Sequence, residues 1–376
     1  MNSISISRRK FAQLLSAGAA CAVVKPALSL AKTVPRVKHP PPPPLTRIVR
    51  LSSNENPYGP SPHALKAMTD AFNVACRYPD EAARLLSEKL AKLNNVNPNQ
   101  ILLGDGSGEV LKLCADTFTG AQRGKLVAGD PTFEAILQHA TVNGAEVVKV
   151  PLTDTFAHDL TKMGAVANAA LVYICNPNNP TASITPKNEL AGFISKTSPQ
   201  TMILVDEAYF HYADSPEYES VIPLINDHPN LIVARTFSKI YGMAGLRCGY
   251  AVGQSEVIAQ LRSHQSWDSV NIMAVAAATA SLNDPDLVTN GRRLNQETRT
   301  FLTTQLDAMD YKYIPSQANF VMIDVKRPVL PLIKALKERN VEVGRLFPAL
   351  PNHMRLTIGK KGEMEAFLLA FRRVLA

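Results

Sequence analysis

Short apolar runs alternate with amphipathic stretches through the middle of the chain. Apolar runs of this length, bounded by polar or turn residues, are typical of buried strands, and the amphipathic stretches are typical of helices that cover a sheet. The alternation predicts an α/β domain with a mostly parallel sheet. The predicted strands are Ile101–Leu103, Lys125–Ala128, Glu146–Val150, Ala170–Cys175, Met202–Val205, Leu231–Ala234 and Gly249–Val252. The predicted helices between them include Glu109–Phe118, Phe133–Asn143 and Lys187–Ser195.

A different pattern follows the last of these strands. One long helical stretch is predicted from Ile272 to Met309. Beyond it, apolar runs predict strands at Asn319–Val325 and Met354–Ile358, and amphipathic periodicity predicts helices at Leu330–Glu338 and Gly362–Leu375. This mixture predicts a smaller α+β domain that closes against the first.

The N-terminal residues carry the features of an export signal. A twin-arginine motif, Ser7–Phe11, precedes a stretch of apolar and small residues, and Ser29–Ala31 offers small residues to a signal peptidase. We therefore expect residues 1–31 to be a twin-arginine signal peptide that directs the protein to the periplasm. Without a functional signal the protein would be cytoplasmic. A membrane anchor is the weaker interpretation because the apolar run is short for a bilayer span, and no stable membrane association is expected after signal removal.

A proline run, Pro40–Pro44, follows the predicted signal. Such a run is extended and cannot join a packed core, so residues 32–50 are predicted to be a Pro-rich linker. We expect residues 51–76 to form an N-terminal arm and part of the small domain. Residues 77–266 would then be the large domain, and residues 267–376 the C-terminal small domain.

The positive charge of the chain is concentrated in its N-terminal part. The formal net charge is +8, yet residues 1–50 contain nine Lys or Arg and no Asp or Glu. The rest of the chain is therefore close to neutral, at about −1, which argues against a nucleic-acid-binding surface. The five cysteines are widely spaced and form neither a disulfide framework nor a metal-binding pattern. Neither nucleic acid nor a metal is expected as a partner.

The candidate chemistry lies where the predicted strands end. Lys239 follows the strand Leu231–Ala234, so its amine is expected in the crevice at the carboxyl edge of the sheet, where ligands of α/β folds bind. A lone lysine is more often a solvated surface residue. Burial and neighbouring charge would let this one react with a carbonyl group as a Schiff base. Asp206 and Tyr209 follow another strand, and they suit a pyridine ring: the acid would pair with its protonated nitrogen, and the phenol would bind its phenolic oxygen.

A further side chain and a glycine-rich loop point to the same ligand. Asn179 lies in an Asn-Pro-Asn-Asn-Pro-Thr turn at the same sheet edge and is expected to reach the phenolic oxygen. The loop Gly104–Gly108 opens a predicted helix, and the N-terminus of a helix favours a phosphate. Within that loop, the expected phosphate-binding residues are Gly106, Ser107 and Gly108.

Three more residues complete the expected site. Ser238 and Arg247 offer a hydroxyl and a guanidinium to the same phosphate. Phe133 begins a predicted helix after a strand and is expected to stack on the ring. Each of these residues alone would more often be a cap, a core residue or part of a turn. Together they predict pyridoxal 5′-phosphate bound through Lys239.

In the identity of these residues and their order along the sequence, the chain resembles the aspartate-aminotransferase-like (fold type I) enzymes that use pyridoxal 5′-phosphate. Within them it is most similar to the histidinol-phosphate aminotransferase branch. The resemblance covers the chain from about Leu51 to the C-terminus and includes the motif Ser53–Pro60. It implies a three-layer α/β/α large domain, a smaller α+β domain and a homodimer. The chain departs from the family at Ala182, where the family usually has glycine after Asn-Pro-Thr.

The resemblance also implies roles for residues outside the cofactor set. Arg355 matches the arginine that binds the α-carboxylate of the substrate, and Arg345 lies where this branch has an arginine for the substrate phosphate. Asn179 would also contact the substrate. Tyr78 matches a tyrosine that reaches the cofactor phosphate of the neighbouring subunit, and Tyr58 lies in the arm that would be shared between subunits.

The expected function is transamination between an amino acid or a related amine and a 2-oxo acid such as 2-oxoglutarate. Lys239, Asp206 and Tyr209 are the expected catalytic residues, with Lys239 as general base and acid. Two alternatives remain open on the sequence alone. One is a decarboxylase or lyase of the threonine-phosphate decarboxylase type on the same scaffold. The other is a periplasmic binding protein without turnover.

Overall fold

Twelve strands form three sheets within residues 48–375, the part of the chain that the computed structural model describes. In chain order they are β1 (Val49–Leu51), β2 (Ile101–Gly104), β3 (Lys125–Asp130), β4 (Val147–Pro151), β5 (Ala169–Cys175), β6 (Met202–Asp206), β7 (Leu231–Thr236), β8 (Gly249–Gly253), β9 (Tyr313–Ile314), β10 (Phe320–Asp324), β11 (Val341–Val343) and β12 (His353–Thr357).

The helices lie between these strands. In the described part of the chain they are α1 (Pro62–Ala71), α2 (Asp80–Asn94), α3 (Gly106–Phe118), α4 (Ala135–Val142), α5 (Leu160–Gly164), α6 (Lys187–Lys196), α7 (Ser255–Ser263), α8 (Ile272–Leu282), α9 (Leu287–Ala308), α10 (Val329–Lys337) and α11 (Lys361–Leu375).

The largest sheet has seven strands in the order β2-β8-β7-β6-β5-β3-β4. Its strands β4, β3, β5, β6 and β7 run parallel, whereas β8 runs antiparallel to both of its neighbours, β7 and β2. The prediction of a mostly parallel sheet is therefore confirmed. Because β5, β6 and β7 are parallel neighbours, their carboxyl ends lie side by side at one edge of the sheet, where ligands of such sheets bind.

Helices cover both faces of this sheet, as the predicted three-layer architecture requires. Alternate residues of one strand enter different cores: Val172 and Ile174 of β5 pack in one apolar cluster, and Leu171, Tyr173 and Cys175 pack in the other. The first cluster includes residues of α6 and α8, and the second includes residues of α3, α4 and α7. Both faces of each central strand are buried, which explains the continuous apolar runs in the sequence.

Smaller sheets lie outside the seven-stranded one. Strand β10 pairs antiparallel with β9 and β12, and β1 pairs parallel with β11. A separate apolar core joins these strands to α9, α10 and α11. The predicted helix from Ile272 to Met309 is two helices, because α8 ends at Leu282 and α9 begins at Leu287. The break contains Pro285, which disfavours helical backbone at the residue before it.

The predicted signal peptide, residues 1–31, and the linker up to residue 47 lie outside the described residues. Val49 and Arg50, which the sequence assigned to the linker, belong to strand β1. The division of the following chain into an arm, a large domain and a small domain stays a prediction. Among residues 48–375, no helix is both long enough and apolar enough to cross a bilayer.

Candidate active site

The parallel strands β5, β6 and β7 bring their last residues into register. Cys175 lies opposite Asp206, and Asp206 lies opposite Ala234. The segments that leave these strands therefore meet at one sheet edge, as the sequence predicted. They carry Asn179 after β5, Tyr209 after β6, and Lys239 after β7.

A cavity of about 230 Å³ opens at this edge. Ten of the residues expected at the site line it: Ser107, Gly108, Phe133, Asn179, Asp206, Tyr209, Ser238, Lys239, Arg247 and Arg355. The other lining residues are Ser53, Asn54, Cys175, Ala208 and Thr236.

Lys239 is partly buried at the centre of the cavity. Its Nζ donates a hydrogen bond to the carbonyl oxygen of Asn54 at 3.3 Å and lies 5.3 Å from the centre of the Tyr209 ring. Burial, with the nearby Arg355 cation, lowers the pKa of Lys239 to about 8. A larger fraction of this amine is therefore neutral near pH 7 than for an exposed lysine, and only the neutral amine is a nucleophile.

Asp206 lies at the end of β6 with 2% of its surface exposed. The backbone N–H of Ala208 donates to its Oδ1 at 3.1 Å, and the hydroxyl of Tyr173 donates to its Oδ2 at 3.0 Å. Burial raises the pKa of Asp206 to about 6, although both hydrogen bonds oppose this rise. A buried carboxylate of this kind favours a cationic partner in the cavity.

The phenol of Tyr209 is surrounded by amide groups. Nδ2 of Asn54 lies 3.1 Å from the Tyr209 hydroxyl, and Nδ2 of Asn179 lies 3.5 Å from it. The hydroxyl and the two amides form a group of donors on one side of the cavity. The turn that carries Asn179 continues to Ala182, which has φ +60°, a conformation that favours the glycine usual in the family.

The opposite end of the cavity has donors suited to a phosphate. Helix α3 begins at Gly106, and the residues of its first turn, Ser107 and Gly108, face the cavity. Ser238 adds a hydroxyl, and Arg247 adds a guanidinium that donates to the carbonyl oxygen of Asp105 at 3.1 Å. A Cβ at Gly106 would collide with the Arg247 guanidinium, so a glycine there lets the arginine lie against the loop. The helix N-terminus and the arginine both attract an anion.

Arg355, on β12, completes the lining of the cavity. Its Nη1 donates to Oδ1 of Asn179 at 2.8 Å, and its Nη2 donates to the carbonyl oxygen of Ser52 at 2.6 Å. Its Nε is buried and finds no acceptor within residues 48–375. Burial and the cation of Arg345 both lower the pKa of Arg355. An arginine in this state is poised to bind a carboxylate or phosphate.

Four expected site residues do not line this cavity. Gly106 lies behind Arg247, and Tyr58 and Tyr78 are exposed side chains, with Tyr78 77% exposed. Arg345 lines an adjoining open cavity of about 510 Å³ that it shares with Arg355 and Lys337. The guanidinium of Arg345 forms an ion pair with Glu134, a residue that the sequence did not single out.

Sequence reasoning missed several residues that contact the site. Asn54 lies in the Ser53–Pro60 motif, but the fold was needed to show that it contacts both Lys239 and Tyr209. Nothing in the sequence predicted the contact of Tyr173 with Asp206. A predicted sheet register would have given one signal for this contact. Tyr173 lies two residues before the end of β5, on the face that carries Cys175.

The donor set fits pyridoxal 5′-phosphate. The cavity combines a reactive amine (Lys239), a buried acid (Asp206) and a phosphate cup (Ser107, Gly108, Ser238, Arg247), and Phe133 offers an aromatic face at its rim. These are the groups that a pyridine ring with an aldehyde and a phosphate requires. Within residues 48–375, no group of three His, Cys, Asp or Glu side chains is arranged to hold a metal ion.

Comparisons with known proteins agree with this geometry. The family model described as aminotransferase class I and II matches residues 46–371. The histidinol-phosphate aminotransferase of Moorella thermoacetica is 37% identical over 334 residues, which are 88% of this chain and 86% of that protein.

Solved structures give the same picture. The histidinol-phosphate aminotransferase of Sinorhizobium meliloti, in complex with pyridoxal-5′-phosphate, matches with a TM-score of 0.81 and 28% identity, covering 88% of this chain and 92% of that one. The L-threonine-O-3-phosphate decarboxylase of Porphyromonas gingivalis has a TM-score of 0.77 and 25% identity, covering 87% and 99%. The relative with the higher identity is an aminotransferase, so the decarboxylase alternative is not favoured. The chain belongs to the class I and II aminotransferase family, and it is an enzyme that catalyses transamination with pyridoxal 5′-phosphate.

Proposed function

We propose that the amino donor is histidinol phosphate or a close analogue and that 2-oxoglutarate is the acceptor. The observation that carries this proposal is the pair of arginines, Arg345 and Arg355, that line the open cavity adjoining the cofactor cavity. The guanidinium groups of Arg345 and Arg355 lie 4.4 Å and 5.2 Å from the centre of the same Phe347 ring, and both side chains line one cavity. Two adjacent guanidinium groups suit a doubly charged phosphate better than a carboxylate. The relatives' names point to the same substrate.

Different side chains have different roles in the proposed transamination. Pyridoxal 5′-phosphate, when bound, supplies the electron sink for the bond that breaks at the substrate Cα. Arg355 orients the substrate so that its Cα faces Lys239. The neutral Nζ of Lys239 takes the Cα proton, and the same amine returns a proton as general acid. Asn179 and Arg355 are joined at 2.8 Å, so substrate binding at the arginine also fixes the amide beside Tyr209.

The proposal is tested by comparing two amino donors in one variant. Replacing Arg345→Gln removes a charge-assisted hydrogen bond to the phosphate, and such bonds contribute about 1.5–3 kcal/mol. We expect kcat/KM for histidinol phosphate to fall by roughly ten- to a hundredfold, because RT ln 10 is about 1.4 kcal/mol. The value for histidine, which has a carboxylate in place of the phosphate arm, is expected to fall far less.

Arg339→Gln serves as the matched control, since Arg339 lies in the turn after α10, donates to the carbonyl oxygen of Ala335 and lies outside both cavities. It is expected to leave both donors unchanged. An equal loss for histidinol phosphate and histidine in Arg345→Gln would contradict a phosphate-binding role. A donor panel in which histidinol phosphate is not converted would reject the proposed substrate itself.

We further propose that the enzyme is a homodimer in which Tyr78 binds the cofactor phosphate of the neighbouring subunit. Tyr78 and Trp267 project from the surface, with 77% and 95% of their areas exposed. The residues next to them, Pro79 and Ser266, line one cavity of about 460 Å³. Large exposed aromatic side chains around a groove are typical of a protein–protein interface.

Sedimentation of the holoenzyme is expected to give twice the chain mass, and Trp267→Glu is expected to shift the protein towards monomers. A wild-type monomer would contradict the proposal.

We also propose that residues 1–31 direct export through the twin-arginine route. The support is the motif Ser7–Phe11, the apolar stretch after it and the small residues at Ser29–Ala31. The full chain, expressed in a bacterium with this route, is expected in the periplasmic fraction. Replacing Arg8 and Arg9 with lysine is expected to retain it in the cytoplasm. Equal periplasmic amounts of the two forms would contradict the proposal.

A further inference from the structure

Two groups of the protein itself donate hydrogen bonds to the Asp206 carboxylate, one to each oxygen. The backbone N–H of Ala208 donates to Oδ1 at 3.1 Å, and the phenol of Tyr173 donates to Oδ2 at 3.0 Å. Asp206 lines the cavity, whereas Tyr173 does not. The phenol therefore approaches the carboxylate from the protein core and leaves its cavity side free.

The position of Tyr173 follows from the sheet register. Cys175 is the register partner of Asp206, and Tyr173 lies two residues earlier on the same strand, β5. Residues two apart on a strand point to the same face, so the Tyr173 side chain lies on the face where Cys175 packs. Tyr173 has 0% of its surface exposed. Removing the Tyr173 hydroxyl from water costs free energy. Its hydrogen bond to a carboxylate offsets that cost.

We propose that Tyr173 is a positioning residue that holds the Asp206 carboxylate ionised and oriented, so that a proton shared with the pyridine nitrogen stays on the nitrogen. The proposal rests on the role given above to Asp206 as the partner of that nitrogen. Tyr173 does not touch the cofactor or substrate, and it acts only through Asp206.

The physical argument concerns where one proton resides. In the pair of ring nitrogen and carboxylate, the proton lies either on nitrogen, which leaves an anionic Asp206, or on oxygen, which leaves a neutral acid. Burial favours the neutral acid and raises the pKa of Asp206 to about 6. A hydrogen bond donated by Tyr173 is stronger to the anion than to the acid, so it opposes burial.

The other charged and titratable groups near Asp206 do not replace this donor. Glu207 is an anion next along the chain, but its carboxylate is paired with Arg235 at 2.8 Å. Cys175 is buried, and burial raises its pKa well above its usual range, so it stays a neutral thiol. The charge of Lys239 lowers the pKa of Asp206, but its Nζ donates to the carbonyl oxygen of Asn54 and not to the carboxylate. Within residues 48–375, the Tyr173 hydroxyl is the side-chain group that donates to Asp206.

The test measures the position of the proton directly. Holoenzyme is prepared with the cofactor labelled with nitrogen-15 in its ring, and the chemical shift of that nitrogen distinguishes the protonated from the neutral ring. In the wild type we expect a protonated ring. In Tyr173→Phe, which keeps the shape and removes the hydroxyl, we expect the ratio of protonated to neutral ring to fall roughly tenfold, the effect of losing one hydrogen bond to a charged group. Infrared spectra are expected to gain the band of a protonated carboxyl group.

Tyr212→Phe is the matched control, because Tyr212 is also a buried tyrosine outside the cavity lining, but within residues 48–375 the groups that donate to Asp206 are Tyr173 and Ala208. It is expected to leave the nitrogen shift unchanged. In an Asp206→Asn background, Tyr173→Phe is also expected to cause no further shift, because the anion that it supports is gone.

The outcomes separate the two roles. A neutral ring in the wild type would overturn the assignment of Asp206 as well as the inference about Tyr173. A protonated ring in both the wild type and Tyr173→Phe would leave Asp206 in place and overturn the inference about Tyr173 alone. An equal change in Tyr212→Phe would show a general loss of packing, and it would also overturn the inference.

Discussion

At Lys239, burial and the neighbouring Arg355 cation both disfavour the ammonium form of the side chain. The same arginine is proposed to orient the substrate, so one residue would serve two purposes: binding an anion and helping to keep the lysine neutral. The sequence placed both residues at the site, but their electrostatic effect on each other depends on distances that only the fold supplies.

The lowered pKa of Lys239 predicts how fast the protein attaches its cofactor at different pH. The neutral fraction of an amine with a pKa of about 8 rises nearly tenfold per pH unit below pH 8 and levels off above it. We expect the rate of covalent attachment of pyridoxal 5′-phosphate to the cofactor-free protein to follow this curve between pH 6.5 and 9.5, measured by absorbance. Lys239→Ala, the control, is expected to show no covalent attachment at any pH. A rate that keeps rising to pH 10 would indicate an unperturbed lysine.

The ion pair between Glu134 and Arg345 predicts an effect on substrate affinity. Glu134 would compete with the proposed substrate phosphate for the Arg345 guanidinium, and the pair is partly exposed, so the competition is worth no more than about 1 kcal/mol. Glu134→Gln is therefore expected to lower KM for histidinol phosphate by up to about fivefold and to leave KM for histidine unchanged. Steady-state kinetics with both donors measure this effect. A higher KM for the phosphorylated donor would show that Glu134 assists binding instead.

At the scale of the elements, the apolar runs of the sequence located the central strands well. Each of the seven strands predicted between Ile101 and Val252 is present, with ends shifted by at most two residues. Helices α1 and α2 were not predicted, and neither were the short strands β1, β9 and β11. Strands of two or three residues are too short to show a period of two, and their pairing depends on residues far along the chain.

A buried ion pair joins the elements behind the site. Arg235 on β7 pairs with Glu207, which follows β6, and its Nη1 donates to Oδ1 of Asn94 at the end of α2. The guanidinium also lies 3.6 Å from the centre of the Phe210 ring. Asp206 and Glu207 are adjacent, so this pair fixes the backbone that carries the proposed partner of the ring nitrogen.

We expect a large loss of stability when the ion pair between Arg235 and Glu207 is broken. Arg235→Met leaves the Glu207 carboxylate buried without its partner, which costs about 3–5 kcal/mol in the free energy of unfolding. Chemical denaturation of the holoenzyme measures the loss. The control is Arg293→Met, because Arg293 forms an exposed pair with Glu297, and its removal is expected to cost less than about 1 kcal/mol. Similar losses in both variants would contradict the buried pair's contribution.

At the scale of the whole molecule, the family resemblance predicted more features than the pattern of hydrophobic and polar residues did. Periodicity predicted the α/β domain, and the ordered motifs predicted the cofactor. Tyr58 and Tyr78 are exposed in the single chain, and the proposed second subunit would cover them. Glu134 and Tyr173 were not predicted because their partners lie 211 and 33 residues away in the sequence.

Subunit mixing tests whether two chains share each site. Lys239→Ala and Tyr78→Ala homodimers are each expected to be impaired, the first in attachment of the cofactor and the second in its affinity. In a mixed dimer, the intact Lys239 of one chain meets the intact Tyr78 of the other, so one site of the two is complete. We therefore expect unfolding and refolding the mixture to restore tight cofactor binding to about a quarter of all sites, measured by titration. No recovery would show that Tyr78 acts within its own chain.

Asn54 has a consequence for the order in which the protein is made. Its carbonyl oxygen accepts from Lys239 and from Asn319, and its N–H donates to Thr357, so its position depends on residues that follow it by 185 or more positions in the sequence. A ribosome that has not yet translated β12 holds a chain that lacks this tie and also lacks Arg355. The cofactor therefore meets a finished site only after β12 has been translated, and a nascent chain that stalls before Thr357 would lack a complete site.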